Sequence, residues 1–95
     1  MATVSIGTPV GSVGIPCMST GVALPAPGRT LTGMSYQVND GPVHPIGAYV
    51  PTGGPWSFQV TPMDCPQPGP YSLTVFAGET GGGFGHDQKN FYRQP

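Results

Sequence analysis

WSFQVTPMDCPQPGPYSLTVFA, residues 56–77, contains two runs of alternating residues separated by a proline-dense middle. The large apolar residues of the two runs recur at every second position: Trp56, Phe58 and Val60, then Tyr71, Leu73, Val75 and Ala77. This period is typical of a β-strand with one buried face, because successive side chains of a strand point to opposite sides. Proline cannot donate to a β-ladder, so the four prolines between the runs predict a loop. The stretch therefore predicts two strands, 56–61 and 71–77, joined by a stiff connection.

The rest of the chain repeats this pattern of short alternating segments and turns. With 16 Gly and 13 Pro among 95 residues, nearly every stretch of eight contains a helix breaker, so no helix is expected. Further strands are predicted at 3–6, 13–24, 31–38, 43–50 and 87–93. We expect the second to be irregular near 19–21 and the fourth to be an edge strand, because it contains Pro45. About seven short strands predict one all-β domain, residues 1–95, built as an antiparallel β-sandwich.

Charge is unusually scarce in this chain. Three basic and four acidic residues make up 7% of it, against about 25% in an average soluble domain. Nucleic-acid binding depends on several Lys or Arg contacts to phosphate, so no nucleic-acid partner is expected. No apolar run approaches the ~18 residues of a membrane-spanning helix, so no membrane insertion is expected either. Residues 1–15 have neither a basic segment nor a continuous apolar one, so no signal peptide is predicted there.

Two cysteines, Cys17 and Cys65, are present. Neither has a CxxC partner or a neighbouring histidine, so a zinc site is poorly supported. The two remaining interpretations are a single disulfide, which is favoured, and a pair of buried free thiols.

Three motifs occur in an order that is similar to that of a known family. GMSYQVNDGP lies at 33–42, WSF at 56–58, and residues 69–77 have the form G-x-Y-x-L-x-V-x-A. This order resembles the immunoglobulin-like domains that occur as repeats in bacterial surface and secreted proteins, and in some phage virion proteins. In that family a strand ending in V-N-G-G precedes a W-S-F strand and then a G-x-Y-x-L-x-V-x-A strand. The resemblance covers most of residues 3–93 and implies an immunoglobulin-like sandwich with Greek-key connections.

The resemblance also implies roles for single residues. It makes 13–24 strand B, 33–39 strand C, 56–61 strand E and 71–77 strand F, with Tyr71 at the position of a tyrosine corner. Leu73 stands where strand F of an antibody domain has its cysteine, which excludes the usual B–F disulfide. Strands B and E are antiparallel neighbours in this topology, so a disulfide between Cys17 and Cys65 is predicted instead.

The aromatic residues divide into two predicted groups. Those that follow the core alternation are assigned with their aliphatic neighbours to the structural core: Tyr36, Trp56, Phe58, Tyr71, Leu73 and Val75. The aromatics expected to be partly exposed are candidates for a ligand-facing platform: Tyr49, Phe76, Phe84 and Tyr92. Aromatic faces of this kind stack on sugar rings, which makes carbohydrate binding one hypothesis.

No catalytic or metal site is predicted from the remaining polar residues. His86 and Asp87 are adjacent, but neighbours on a strand point to opposite faces, and no nucleophile is spaced to join them. His44 is expected to be an exposed loop residue. The acids are scattered singly, whereas calcium requires several converging oxygen ligands. The expectation is therefore a non-enzymatic protein without a metal or a cofactor.

Three functions are considered on these grounds. The leading one is an immunoglobulin-like module of a bacterial cell-surface or secreted protein, acting as a structural spacer or adhesion unit outside the cell. Its partners would be neighbouring domains of a longer chain, and a glycan or a host surface protein would be the adhesion target. The first alternative is a carbohydrate-binding accessory module, and the second is a phage virion decoration domain.

Overall fold

Eight β-strands and one three-residue 3₁₀ turn, Thr80–Gly82, make up the computed structural model, which describes all residues Met1–Pro95. The strands are β1 (Thr3–Thr8), β2 (Gly11–Val13), β3 (Cys17–Leu24), β4 (Leu31–Val38), β5 (His44–Ile46), β6 (Gly54–Val60), β7 (Gly69–Glu79) and β8 (Phe84–Arg93). They form a three-stranded sheet of order β1-β3-β6 and a five-stranded sheet of order β2-β8-β7-β4-β5. Every pairing is antiparallel except that of β2 with β8. The all-β, two-sheet architecture agrees with the expected class. No helix in the structure is long and apolar enough to cross a membrane.

The hydrophobic core lies between the two sheets. Alternate residues of β4, β6 and β7 point into it, as their sequence pattern predicts. Four of the residues assigned to the core are fully or almost fully buried: Tyr36, Trp56, Leu73 and Val75. Phe58 and Tyr71 are only half-buried and pack against the margin of the core. Phe58 stacks on Tyr36 with ring centroids 4.0 Å apart, so it still joins the aromatic cluster.

The predicted strand 13–24 is wrong as a single element. Residues 11–13 form β2 and pair in parallel with β8, whereas β3 begins at Cys17 and pairs with β1 and β6 in the other sheet. Residues 14–16 carry the chain from one sheet to the other, and Pro16 lacks the N–H that a continuing ladder needs. The irregularity expected at 19–21 lies in the pairing with β1, where the register shifts between the pairs Ile6–Gly21 and Thr8–Thr20. On the other side of β3 the same residues pair with β6 in continuous register.

Other boundaries also move. The predicted edge strand 43–50 is reduced to β5 and an isolated bridge between Ala48 and Ser57. The last strand starts at Phe84 rather than at residue 87, and the glycine-rich connection contracts to residues 80–83. Gly81 and Gly82 adopt φ values of 84° and 85° there, a region that glycine enters without a steric penalty. The glycines thus close a tight hairpin between two long strands.

The outer edge of β1 is capped by two charged side chains of β8. The Ile6 N–H donates to Asp87 Oδ2 at 2.9 Å, and Lys89 Nζ donates to the Ile6 carbonyl at 3.1 Å. Asp87 and Lys89 are two residues apart, so they point to the same side of β8. They satisfy backbone groups of an edge strand that would otherwise be open to pairing with another chain.

The free edge of β6 is protected in a different way. The Ser57 N–H donates to the Ala48 carbonyl at 3.1 Å on the side away from β3. Pro55, two residues earlier, faces the same side and has no N–H. Pro45 occupies the middle of the three-residue edge strand β5. Short edges and prolines of this kind oppose edge-to-edge association.

The molecule is elongated, with extents of 45 × 20 × 18 Å. The Met1 amino group lies 3.3 Å from Glu79, the last residue of β7. Arg93 pairs with Gly69, the first residue of β7, and the Gln94 N–H donates to the Val13 carbonyl. Residues 1 and 94 therefore lie at opposite ends of the longest central strand.

Candidate functional site

A cavity of about 380 Å³ opens between the end of β4, β5 and the turn that follows β6. It is lined by eight residues: Tyr36, Val38, Gly41, Pro42, His44, Thr61, Met63 and Asp64. His44 was expected to be an exposed loop residue, and Asp64 is one of the acids scattered singly along the sequence. The structure brings them together in this cavity, which we call the Asp64 cavity.

Asp64 is held in place by one of its carboxylate oxygens. Oδ2 accepts hydrogen bonds from the Tyr36 hydroxyl at 3.1 Å, from the Thr61 N–H at 3.0 Å and from the Thr61 hydroxyl at 3.2 Å. The Asp64 and Cys65 N–H groups in turn donate to the Thr61 carbonyl at 3.0 and 3.2 Å. These bonds close a turn over 61–65, and they leave the Asp64 side chain only 6% exposed.

The other carboxylate oxygen faces His44. Asp64 Oδ1 lies 3.6 Å from His44 Nε2, which is too long for a hydrogen bond. The His44 side chain is 42% exposed, and its ring lies 5.2 Å from that of Tyr36. The cavity thus contains a nearly buried carboxylate. One of its oxygens accepts three hydrogen bonds, and the other accepts none and lies beside the His44 imidazole.

Tyr36 is fixed as a hydrogen-bond donor in this arrangement. Burial, followed by the negative charge of Asp64 and the hydrogen bond to it, raises the pKa of Tyr36 to about 12. Its hydroxyl therefore stays protonated at neutral pH and orients the carboxylate.

The side chains of the cavity do not form a catalytic triad or a metal-ligand cluster. A catalytic triad requires a nucleophile in hydrogen-bond contact with the imidazole, and His44 makes no hydrogen bond to any side chain. No three His, Cys, Asp or Glu side chains converge as metal ligands. His86 is exposed on strand β8, and its neighbour Asp87 points to the opposite face, towards Ile6.

The predicted Cys17–Cys65 disulfide is not formed in the structure, where both cysteines are free thiols. The underlying topology was correct, because β3 and β6 are antiparallel and Cys17 lies opposite Val60. Burial raises the pKa of Cys17. It also raises the pKa of Cys65 to about 11, with contributions from the charges of Asp64 and Cys17 that Arg93 partly offsets. Both groups are held as thiols at neutral pH, and the thiolate needed for disulfide exchange is scarce.

A second candidate site is the outward side of the five-stranded sheet, which we call the outer face. Leu73, Val75 and Ala77 of β7 are buried, so the alternate residues of this strand, including Phe76, point outward. The outward positions of β8 are occupied by Phe84, His86, Gln88, Asn90 and Tyr92. Phe84 and Tyr92 are 62% and 43% exposed. Three of the four aromatics predicted to face a ligand therefore share one surface.

The fourth predicted aromatic, Tyr49, lies elsewhere. It borders a groove of about 410 Å³ beside β6, together with Val50 and Pro55, and it packs partly against the core. Across the outer face, Phe76 and His86 are cross-strand neighbours with ring centroids 6.3 Å apart. The outward side chains of β4, β7 and β8 include no carboxylate, lysine or arginine: Thr32, Ser35, Gln37, Ser72, Thr74, Phe76 and the five residues of β8.

A third polar feature, the buried carboxylate of Glu79, belongs to the fold rather than to a binding site. It accepts a hydrogen bond from the Ala26 N–H at 3.2 Å and lies 3.4 Å from Arg29 Nε. Burial raises its pKa, but the Ala26 N–H, the Met1 amino group and Arg29 together hold that pKa below the ordinary value of 4.5. Glu79 therefore ties the 26–29 loop to the end of β7 as a charged group.

Glu79 makes the stability of the fold sensitive to acid. Because its pKa is lower in the folded than in the unfolded chain, its contribution is fully present above about pH 4.5 and is lost as the pH falls through the lower folded value. We expect Glu79→Gln to be less stable than the parent chain at pH 7, with the difference shrinking towards pH 3. Urea midpoints across this range measure the effect, and Asp40→Asn, at an exposed turn, is the control. A difference that is independent of pH would contradict this assignment.

The chain matches no family model, no curated protein and no solved structure. The immunoglobulin-like family indicated by 33–42, 56–58 and 69–77 therefore stays a prediction. Sequence reasoning missed the Asp64 cavity, although the T-x-x-D spacing of Thr61 and Asp64 is typical of a side chain that closes a turn on its own backbone.

Proposed function

We propose that the chain is a non-enzymatic, immunoglobulin-like module of a bacterial cell-surface or secreted protein, where it acts as a spacer or adhesion unit between neighbouring domains. The observation that carries this proposal is the placement of the two ends of the chain. Residue 1 lies beside Glu79 and residue 93 beside Gly69, at opposite ends of an elongated body. A domain of this shape adds its full length to a chain in which it is linked to neighbours on both sides.

The strand order supports the immunoglobulin-like part of the proposal. The chain passes from β4 and β5 in one sheet to β6 in the other and then returns to β7 beside β4. Tyr71 makes the hydrogen bonds expected of a tyrosine corner: its hydroxyl donates to the Gln67 carbonyl at 2.7 Å and accepts from the Gln67 N–H at 3.2 Å. These bonds fix the connection between β6 and β7 in the way that the resemblance implies.

The spacer function can be tested with a tandem repeat of two copies joined by a short linker. Small-angle X-ray scattering should give a maximum dimension of roughly twice the 45 Å extent of one copy. The same pair of copies joined by a long Gly/Ser linker is the control, because a flexible linker allows many relative positions. If the short-linked pair folds back to the maximum dimension of a single copy, the spacer proposal is wrong.

A carbohydrate-binding role is the second candidate, and it is favoured by the composition of the outer face. Exposed aromatic rings there lie among hydroxyl and amide side chains and His86, and the face has no carboxylate, lysine or arginine side chain. Neutral sugars offer apolar ring faces and many hydroxyl groups, which match these side chains. Sheet faces without fixed charge give little attraction to ionic partners.

The carbohydrate hypothesis is tested on a glycan array, followed by calorimetry on any sugar that binds. Phe84→Ala and Tyr92→Ala, separately and together, should weaken binding, because each removes an exposed ring from the outer face. Tyr49→Ala is the matched control, since Tyr49 borders a groove on the other sheet. Trp56 fluorescence is a poor reporter here because the indole is 2% exposed and lies in the core. Equal losses with the control variant would exclude the outer face as the site.

A further inference from the structure

We propose that the Asp64 cavity is a binding site for a primary alkylammonium group, as carried by a lysine side chain or by a small aliphatic amine. The inference is independent of the spacer function. The Asp64 side chain is 6% exposed, and its Oδ1 accepts no hydrogen bond from the chain. A carboxylate withdrawn from water is stabilised by a positively charged donor placed against its open oxygen.

The orientation of the carboxylate is already set for such a ligand. Three donors hold Oδ2, and two of them come from Thr61, in the same turn as Asp64. The third is the Tyr36 hydroxyl, which stacking of its ring on Phe58 keeps in position. A binding group fixed in this way loses little conformational freedom when a ligand arrives, which favours affinity.

The size and the walls of the cavity fit an aliphatic amine. Its volume of about 380 Å³ falls in the range of small-molecule sites, ~300–1,000 Å³. Val38, Pro42 and Met63 give the lining an apolar part that can cover a methylene chain, while Asp64 supplies the single fixed charge. Met63 is 92% exposed at the rim. An ammonium group at the end of a short alkyl chain matches both parts of this lining.

A metal ion is a weaker match for the same cavity. His44 Nε2 and Asp64 Oδ1 are the two facing donors, and no third His, Cys, Asp or Glu joins them. Stable zinc sites in proteins use three or four side-chain ligands. His44 instead forms a polar wall beside Oδ1, in a position where it can accept one hydrogen bond from an ammonium group.

The test is an NMR titration of the ¹⁵N-labelled chain with butylammonium chloride, and in parallel with 1-pentanol as a neutral analogue. Butylammonium should give saturable chemical shift changes confined to the amides of residues 36–44 and 61–65. The affinity for pentanol should be lower by about tenfold or more. A parallel titration with Nα-acetyl-lysine methylamide separates the two sources of the group. Tighter binding of this compound identifies a polypeptide lysine as the natural ligand, and tighter binding of butylammonium identifies a free amine.

Asp64→Asn should reduce the affinity for butylammonium by about tenfold or more, because the charge of the pair is removed. Asp40→Asn removes an equal charge from an exposed turn outside the cavity lining and should have no such effect. If Asp64→Asn does not fold, Met63→Lys provides the second test. Its own ammonium group, tethered at the exposed rim, should compete with the added amine.

Three results would overturn the proposal. One is the absence of shifts from butylammonium at tens of millimolar, and another is an equal response to pentanol, which would make the cavity merely apolar. The third is saturable binding of Zn²⁺ at His44 and Asp64 without any binding of the amine. Loss of affinity in Asp64→Asn or Met63→Lys, with Asp40→Asn unchanged, supports the site.

Discussion

Gly21→Ala is expected to destabilise the fold by about 3 kcal/mol, although it adds a single methyl group. A Cβ at this position of β3 would lie 2.0 Å from the Ser5 carbonyl oxygen and 2.5 Å from Cζ2 of Trp56. Ser5 belongs to β1 and Trp56 to β6, the two strands that flank β3 in the sheet. Neither the backbone oxygen nor the buried indole can move away without breaking strand pairing or repacking the core. The close approach of the three strands therefore requires glycine.

Urea unfolding followed by the fluorescence of Trp56, the only tryptophan, measures this effect. Gly33→Ala in β4 is the matched control, because a Cβ there has no other atom within 4 Å. Glycine in a strand interior is less stable than alanine by about 0.5–1 kcal/mol where space allows, so the control should be neutral or slightly stabilising. A large loss of stability in Gly21→Ala, together with no loss in Gly33→Ala, would confirm the contact geometry. A Gly21→Ala variant as stable as the parent chain would refute it.

Trp56→Ala should cost about 3–5 kcal/mol, the range observed when large aromatic side chains are removed from cores. Trp56 is 2% exposed and is the largest fully buried side chain. It packs against Gly21 and stacks on Phe58 with centroids 5.7 Å apart. Since domains of this size are stable by about 5–15 kcal/mol, the variant should lose much of its folded population. Far-UV circular dichroism in urea gives the measurement after the fluorophore has been removed.

Trp56→Phe separates two contributions at the same position. The Trp56 Nε1 group is buried and has no hydrogen-bond partner, a condition that costs about 1–3 kcal/mol. Phenylalanine keeps an aromatic ring against Phe58 and removes the unpaired N–H, so its loss of stability should be well below that of Trp56→Ala. Equal losses for the two variants would show that neither the retained ring nor the removal of the unpaired N–H stabilises the fold at this position.

Local alternation was sufficient to predict β4, β6 and β7, because alternate side chains of each are buried or partly buried against the core. It failed at 13–24 for a physical reason. Val13, Ile15 and Cys17 continue the period of two while the chain moves from one sheet to the other. The partner of β2 is β8, about 80 positions later in the sequence, so its sheet is determined by a contact that no local pattern records.

The two candidate sites likewise differ in how far the sequence alone could predict them. The parity of Phe76, Phe84 and Tyr92 along β7 and β8 places them on one face, so the aromatic surface could be predicted once the strands were known. The Asp64 cavity could not be predicted from the sequence. Asp64 and His44 are 20 residues apart, and they meet because β5 pairs with β4 while the 61–65 turn folds back towards Tyr36. The turn leaves the Asp64 side chain 6% exposed, with one oxygen that accepts no hydrogen bond.

The first thirteen residues run alongside β8 in one direction, from Ala2 beside Gly85, through Ile6 beside Asp87 and Lys89, to the parallel pairing of β2. A pull applied at residue 1 and residue 95 drives these two segments past one another along their length. The β2 ladder and the two side-chain bonds to Ile6 are then loaded together, in shear, rather than one after another. Unfolding under tension requires all of these hydrogen bonds to break in a single event. Residues 1–13 therefore increase the resistance of β8 to mechanical unfolding.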